Sequence, residues 1–189
     1  EEKQGTRTPA EPHVTDDGLQ MHLDLSGEDT GGIVGLRARK NPIPLDINRI
    51  NAYDAEDYFE PIKQRGRQSI INENDHYLLH SLEVVKVPPH LNVEVRSHAR
   101  VGFAATLHFA GFVDPGWDGK LVLEVKSHEI AKARLEHGMP ISNLEVFRNN
   151  LPEQIYGECI GSHYHRQKGP RPAKFFKEID YLTWAAKLE

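Results

Sequence analysis

The sequence predicts an all-β domain, a distorted jelly roll or β-barrel with one short helix in its first half and a carboxy-terminal helix. Short apolar alternations of period two, turn residues between them and a single helix-spaced tail carry that expectation. Residues 19–25 set Leu19, Met21, Leu23 and Leu25 against Gln20, His22 and Asp24, the pattern of a half-buried strand. Residues 26–32 break the run and a second strand follows at 33–39. Pro42 and Pro44 remove ladder donors, so the next stretch is an edge or a loop. Residues 54–62, with Asp54 as cap and Tyr58 and Phe59 inside, read as the short helix, ended near Pro61. Further strands are expected at 69–72, 76–87, 91–97, 103–113, 120–127 and 141–148, separated by Asn-Asp, Pro-Pro, Asp-Pro-Gly and His-Gly turns. In 172–188, Phe175, Phe176, Ile179, Leu182 and Ala186 recur near helical spacing after Pro172, which suits a first helical turn.

The 189 residues suffice for one real core. Residues 1–18, rich in Glu, Thr, Pro, Asp and Gly, read as a flexible lead-in or linker, and 19–189 as the domain. The chain starts Glu1-Glu2-Lys3, which fits a processed chain or the later part of a longer polypeptide. A formal net charge of −5 leaves no broad basic surface for a nucleic-acid polymer. A mean hydropathy of −0.58, with no long apolar run, argues against a membrane partner. The single Cys159 excludes an internal disulfide, and no signal peptide is visible, so a cytoplasmic location is the expectation. It also excludes zinc deaminases, whose metal is held by His with two Cys or by three Cys.

The densest cluster of special residues runs from Gly111 through Asp114-Pro115-Gly116-Trp117-Asp118-Gly119 into a strand. Such a turn holds an acid and a ring close together, and its glycines let backbone amides approach a ligand; an ordinary hairpin with a Trp lid has the same composition. In that strand Leu121, Leu123 and Val125 share one face, leaving Val122, Glu124 and Lys126 on the other. On a partly apolar wall a carboxylate can accept and return a proton near neutrality, and on a solvated face it is an ordinary surface acid. Both readings of Glu124 stay open on periodicity alone. Arg96-Ser97-His98-Ala99-Arg100 places two guanidinium groups and a hydroxyl at a strand end, suited to phosphate oxygens and to fixing a water. The basic run His163-Tyr164-His165-Arg166-Gln167-Lys168-Gly169, eight residues beyond Tyr156 at its own tyrosine, could close over an anion or lie solvated. Eleven histidines give no convincing metal-ligand spacing, so no protein-held metal is expected.

Asp114-Pro115-Gly116-Trp117-x-Gly119 followed by Leu123-Glu124 resembles the central signature of the dCTP deaminases, a family with the dUTPase-like fold. Tyr156, Tyr164, Gln167 and Gly169 resemble that family's phosphate-binding closing segment, and Gly169-Pro170-x-Pro172 resembles its bifunctional deaminase–dUTPase branch. The resemblance is good from about residue 78 to 172. Residues 34–62, Ser127-His128-Glu129 and Leu135-Glu136-His137-Gly138 are similar to the carboxy-terminal half of the double-length dCTP deaminases. One departure stands out: the family loop Arg-Ser-Ser-x-x-Arg is one residue shorter here, and Arg100 takes the second arginine's role only if a bulge absorbs the change.

The resemblance implies hydrolytic deamination of dCTP without zinc, with Glu124, Ser97 and Arg100 as catalytic residues. It further implies that Ala110 and Gly111 read the base, that Asp114 and Trp117 pack near the deoxyribose, and that Arg96, Tyr156, His163, Gln167 and Lys168 bind the triphosphate. Mg2+ would arrive on the nucleotide, and the site would form in a homotrimer or in an assembly with an amino-terminal half. The rival readings are a dUTPase or bifunctional enzyme giving dUMP, and a degenerate nucleotide-binding or structural domain.

Overall fold

The computed structural model describes residues 13–98, 106–108, 111–127 and 133–188. Twelve strands occur among them: β1 Val14–Thr15, β2 Gly18–His22, β3 Ile33–Ala38, β4 Phe59–Lys63, β5 Gln68–Ile71, β6 His76–Lys86, β7 Leu91–Ser97, β8 Thr106–His108, β9 Phe112–Val113, β10 Asp118–Ser127, β11 Ala133–Glu136 and β12 Pro140–Arg148. One sheet has the order β1-β2-β12-β7-β9, a second the order β4-β3-β6-β10-β8, and β11 pairs with β5. Every pairing of strands described is antiparallel. The all-β reading holds, but the two sheets are not closed into a barrel.

The main core lies between the five-stranded sheets, where Met21, Val93, Ile141 and Leu144 of one meet Leu79, Leu121, Leu123 and Val125 of the other. A second cluster covers the outer face of β3 with the carboxy-terminal segment: Ile33 and Leu36 pack with Tyr58, Phe176 and Trp184. Buried on both faces, β3 therefore reads Ile-Val-Gly-Leu without alternation.

Both helix expectations need correction. Over 54–62 the chain makes only a 3₁₀ turn, Ala55–Asp57, and then β4, whose Pro61 sits opposite Leu36 at the sheet edge. At the tail the helix is confined to α1, Tyr181–Ala186, capped by Asp180, whose carboxylate accepts from the Thr183 amide at 3.1 Å and from its hydroxyl at 2.7 Å. Upstream, Phe176 forms a bridge with Tyr53: Ala52 N–H donates to Phe175 O at 2.9 Å and Lys177 N–H to Tyr53 O at 2.8 Å. Those long-range bonds tie the backbone of 175–177 to residues 52–53 and keep it out of a helix despite its helical spacing. The expected strand over 103–113 is seen as β8 and β9, with its remainder outside the described residues. Strand β11 was not foreseen, because its Ala-Arg-Leu-Glu alternation before His137-Gly138 is only four residues long. No helix among the described residues is long and apolar enough to cross a membrane.

Candidate functional site

Strand β10 places Glu124. Leu121, Leu123 and Val125 are buried inward, whereas Val122 and Lys126 are half-exposed and Glu124 is exposed on the outer face. Pairing with β6 sets Glu124 opposite Leu78 and Val122 opposite His80. Glu124 lines a cavity of about 240 Å3 whose walls include Gly111, Trp117, Tyr164, Gln167 and Arg171. It also borders a 330 Å3 apolar hollow with Phe59, Leu78 and Val125. The strand-facing expectation therefore holds, and the outer face is a mixed wall rather than plain solvent.

The turn at 114–117 is held by Trp117 N–H donating to Asp114 O at 3.1 Å and Gly116 N–H to Val87 O at 3.0 Å. Gly116 has φ +91°, and a Cβ there would lie 2.1 Å from Ile155 Cγ2 and 2.6 Å from Tyr156 O, so only glycine allows the two segments to meet. Tyr156 N–H in turn donates to Pro115 O at 3.0 Å. Trp117 is buried, its Nε1–H donates to Gly119 O at 3.1 Å, and its ring stacks on Tyr156 with centroids 5.3 Å apart. The closing segment is thus docked on the turn. Arg166 N–H donates to Asp118 O at 2.7 Å, and Tyr164 N–H donates to the Tyr156 hydroxyl at 2.9 Å.

Burial pushes the Tyr164 hydroxyl up, the Glu124 charge adds to that and Arg171 opposes it, so all three groups share one electrostatic neighbourhood. Burial likewise raises Tyr156. Gln167 is buried and its Nε2 donates to Lys120 O at 2.6 Å. His163 Nε2 donates to Pro172 O at 2.9 Å, and burial pushes its ring below the ordinary histidine range, favouring the neutral form. Lys168 is exposed and borders an adjoining cavity of about 370 Å3 with Gln167 and Arg171.

The amino-side loop lies elsewhere. Arg96 and Ser97, exposed at the end of β7, line a different hollow with Asn143 and Glu145. Arg96 pairs with Glu145 and lies 3.5 Å from Glu94. Within one chain, then, Ser97 and Glu124 open onto separate cavities on different sheets. Arg100 and Ala110 lie outside the described residues. Asp114 is half-buried beside the turn, outside the lining of the Glu124 cavity. Arg171, which the sequence reading passed over as the x of Gly-Pro-x-Pro, lines that cavity; its only signal was a cation between two prolines. Among the described residues no three His, Cys, Asp or Glu side chains are grouped as metal ligands.

A family model for the C-terminal domain of 2′-deoxycytidine 5′-triphosphate deaminase matches residues 1–176. A dUMP-forming dCTP deaminase of Parafrankia sp. is 33% identical over 133 residues, covering 68% of this chain and 66% of its own length. A dCTP deaminase of Natronomonas pharaonis is 31% identical over 134 residues, covering 69% and 67%. The crystal structure of 2′-deoxycytidine 5′-triphosphate deaminase from Agrobacterium tumefaciens superposes with a TM-score of 0.68 at 31% identity, over 75% of this chain and 43% of that one. The chain therefore spans about two thirds of the first two relatives and under half of the third.

Proposed function

The chain belongs to the dCTP deaminase family, and from that premise we propose that it is a hydrolase that removes the cytosine amine of dCTP, with Glu124 as its proton-transfer group. The observation that carries this reading is the position of Glu124 on the outer face of β10, in one cavity with Trp117, Tyr164, Gln167 and Gly111. A water molecule beside Glu124 gives a proton to the carboxylate while its oxygen bonds to the amine-bearing carbon of cytosine. The carboxylate passes protons to the ring and to the departing nitrogen, the carbon–nitrogen bond breaks, and dCTP plus water becomes dUTP plus ammonia. Backbone at Ala110 and Gly111 reads the base, and Asp114 with the Trp117–Tyr156 stack shapes the sugar's space. Arg96, His163, Gln167 and Lys168 serve the triphosphate, on which magnesium arrives as part of the substrate. His163, neutral and with its Nε2–H given to Pro172 O, serves there by bracing the closing segment rather than by donating to a phosphate oxygen.

Ser97 and Arg100 hold the attacking water. Because Ser97 and Glu124 open onto separate cavities of one chain, we assign them to one site contributed by two copies, as in the expected homotrimer. A second reading, release of dUMP, is supported by Gly169-Pro170-x-Pro172 and by the dUMP-forming name of the Parafrankia relative. Incubation with dCTP and magnesium, followed by chromatographic separation of dCTP, dUTP and dUMP, tests both. The expected result is loss of dCTP, with kcat lowered about 10²- to 10⁴-fold by Glu124→Gln. Turnover unchanged in that variant would sink the mechanism, and the product peak decides between dUTP and dUMP.

A further inference from the structure

Arg171 is a guanidinium for which the proposed mechanism has no use, yet it occupies a distinctive place. It and Gln167 line both the 240 Å3 cavity of Glu124 and the adjoining 370 Å3 cavity of Lys168, so these two side chains form the partition between them. Alone, the Glu124 cavity falls short of the roughly 300–1,000 Å3 typical of a small-molecule site, whereas the two together reach it. Both partition residues carry unused hydrogen-bonding capacity: Arg171 Nε and Gln167 Oε1 are buried with no hydrogen-bond partner. A buried donor of a charged group left without an acceptor is costly, which points to an acceptor supplied from outside the fold.

The surrounding charges agree. The ion pair of Arg171 with Glu178 is loose, 3.7 Å long, and the Glu178 side chain is 81% exposed. The other carboxylates at the second cavity are engaged: Asp29 lies 3.1 Å from Lys120 Nζ, and Asp180 caps α1. Arg166 and Lys168 border the same space. Lys168 and Arg171 thus share the second cavity with one loosely held, exposed acid, Glu178, next to the cavity that holds the proton-transfer group.

We propose that Arg171 binds substrate: its guanidinium takes phosphate oxygens of a nucleoside triphosphate whose base lies beside Glu124 and whose phosphate chain crosses the Gln167–Arg171 partition. This rests on the deaminase reading for the base, but the phosphate contact can be measured without turnover. The probes are inorganic tripolyphosphate, followed by calorimetry, and dCTP, followed by steady-state kinetics, on the whole chain and on Arg171→Gln, Arg171→Lys and Glu124→Gln, with thermal melts to confirm folding. Arg171→Gln should weaken tripolyphosphate binding and raise KM for dCTP about tenfold or more, with kcat within about threefold. Arg171→Lys should recover part of the KM, because it keeps the charge and loses the fork. Glu124→Gln should bind tripolyphosphate like the wild type. A folded Arg171→Gln variant with wild-type tripolyphosphate affinity and KM overturns the contact and leaves the deaminase standing, and so does a wild type that binds no tripolyphosphate. A wild type that leaves dCTP untouched, yet binds tripolyphosphate through Arg171, overturns the deaminase and leaves the contact.

Discussion

Lys120 is 5% exposed, and its ammonium lies 2.7 Å from Asp24 Oδ2 and 3.1 Å from Asp29 Oδ2. Burial pushes the Asp24 carboxyl up, but hydrogen bonds from Lys120 and Ser26 outweigh it and hold it at about 2. Removing one partner of a buried pair strands the other, so Lys120→Met should lower unfolding free energy by roughly 3–5 kcal/mol in urea titrations. The double variant with Asp24→Leu should recover part of that loss, because the buried Asp24 carboxylate is then no longer left without its cation; partly exposed Asp29 keeps the rest of the cost. Fully buried His80 lies beside the pair, its Nδ1 3.9 Å from Asp24 Oδ2, and burial, aided by Lys120, pushes its ring down to about 4. An unfolded histidine titrates near 6.5, so between about 6.5 and 4 the unfolded chain binds the extra proton and folding loses stability as pH falls, by about 3 kcal/mol in all. Above pH 6.5 this contribution is fully present. Urea midpoints should therefore drop between pH 7 and pH 4, and His80→Leu should flatten that slope; an equally steep profile in the variant would assign the effect to another group. Alternation along β10 cannot reveal this cluster, because Asp24, Asp29 and His80 reach Lys120 from other segments and no local pattern names them. For Glu124 alternation gave the outward facing, whereas its role came only from the family resemblance.

At the scale of elements, the site depends on one docking event, the closing segment laid against the 114–119 turn. Tyr156, Tyr164 and Gln167 were legible only through their resemblance to the family's closing segment, since composition alone left the run open between closing over an anion and lying solvated. The contact partner could not, since no local pattern says that Gly116 must admit Ile155 and Tyr156. Gly116→Ala makes that dependence measurable. It adds a Cβ where 2.1 Å of space remains and forces a side chain to φ +91°, so it should cost about 2 kcal/mol or more. The displaced Tyr156 should leave Trp117 unstacked, raising KM for dCTP and changing Trp fluorescence. A melt and an emission spectrum indistinguishable from the wild type would mean that the closing segment does not need this contact. The short helix expected over 54–62, and the carboxy-terminal helix that exists but begins only at Tyr181, show the same limit. Residues 54–62 and 172–188 have helical spacing, but Tyr58 and Phe176 are claimed by one aromatic cluster, with ring centroids 5.2 Å apart, and long-range pairing overrides local preference.

For the whole molecule, the arrangement of the two sheets decides whether a single chain can act. Glu124 stands on the sheet that holds β6 and β10, whereas Ser97 and Arg96 stand at the end of β7 in the other sheet and face a separate hollow. If a second copy brings its Ser97 to the first copy's Glu124, the two residues should complement each other between chains. Glu124→Gln and Ser97→Ala homo-oligomers would each be inactive. Unfolded together in equal amounts and refolded, they should regain activity, because a site is intact whenever its Glu comes from the serine variant and its Ser from the glutamate variant. Random mixing makes about a quarter of sites intact, so about a quarter of wild-type activity should return. The same mixture held without unfolding should stay inactive until subunits exchange. If refolded mixtures remain dead while refolded wild type recovers, Ser97 and Glu124 act within one chain or Ser97 has no part in the reaction, and activity of Ser97→Ala alone separates those two outcomes.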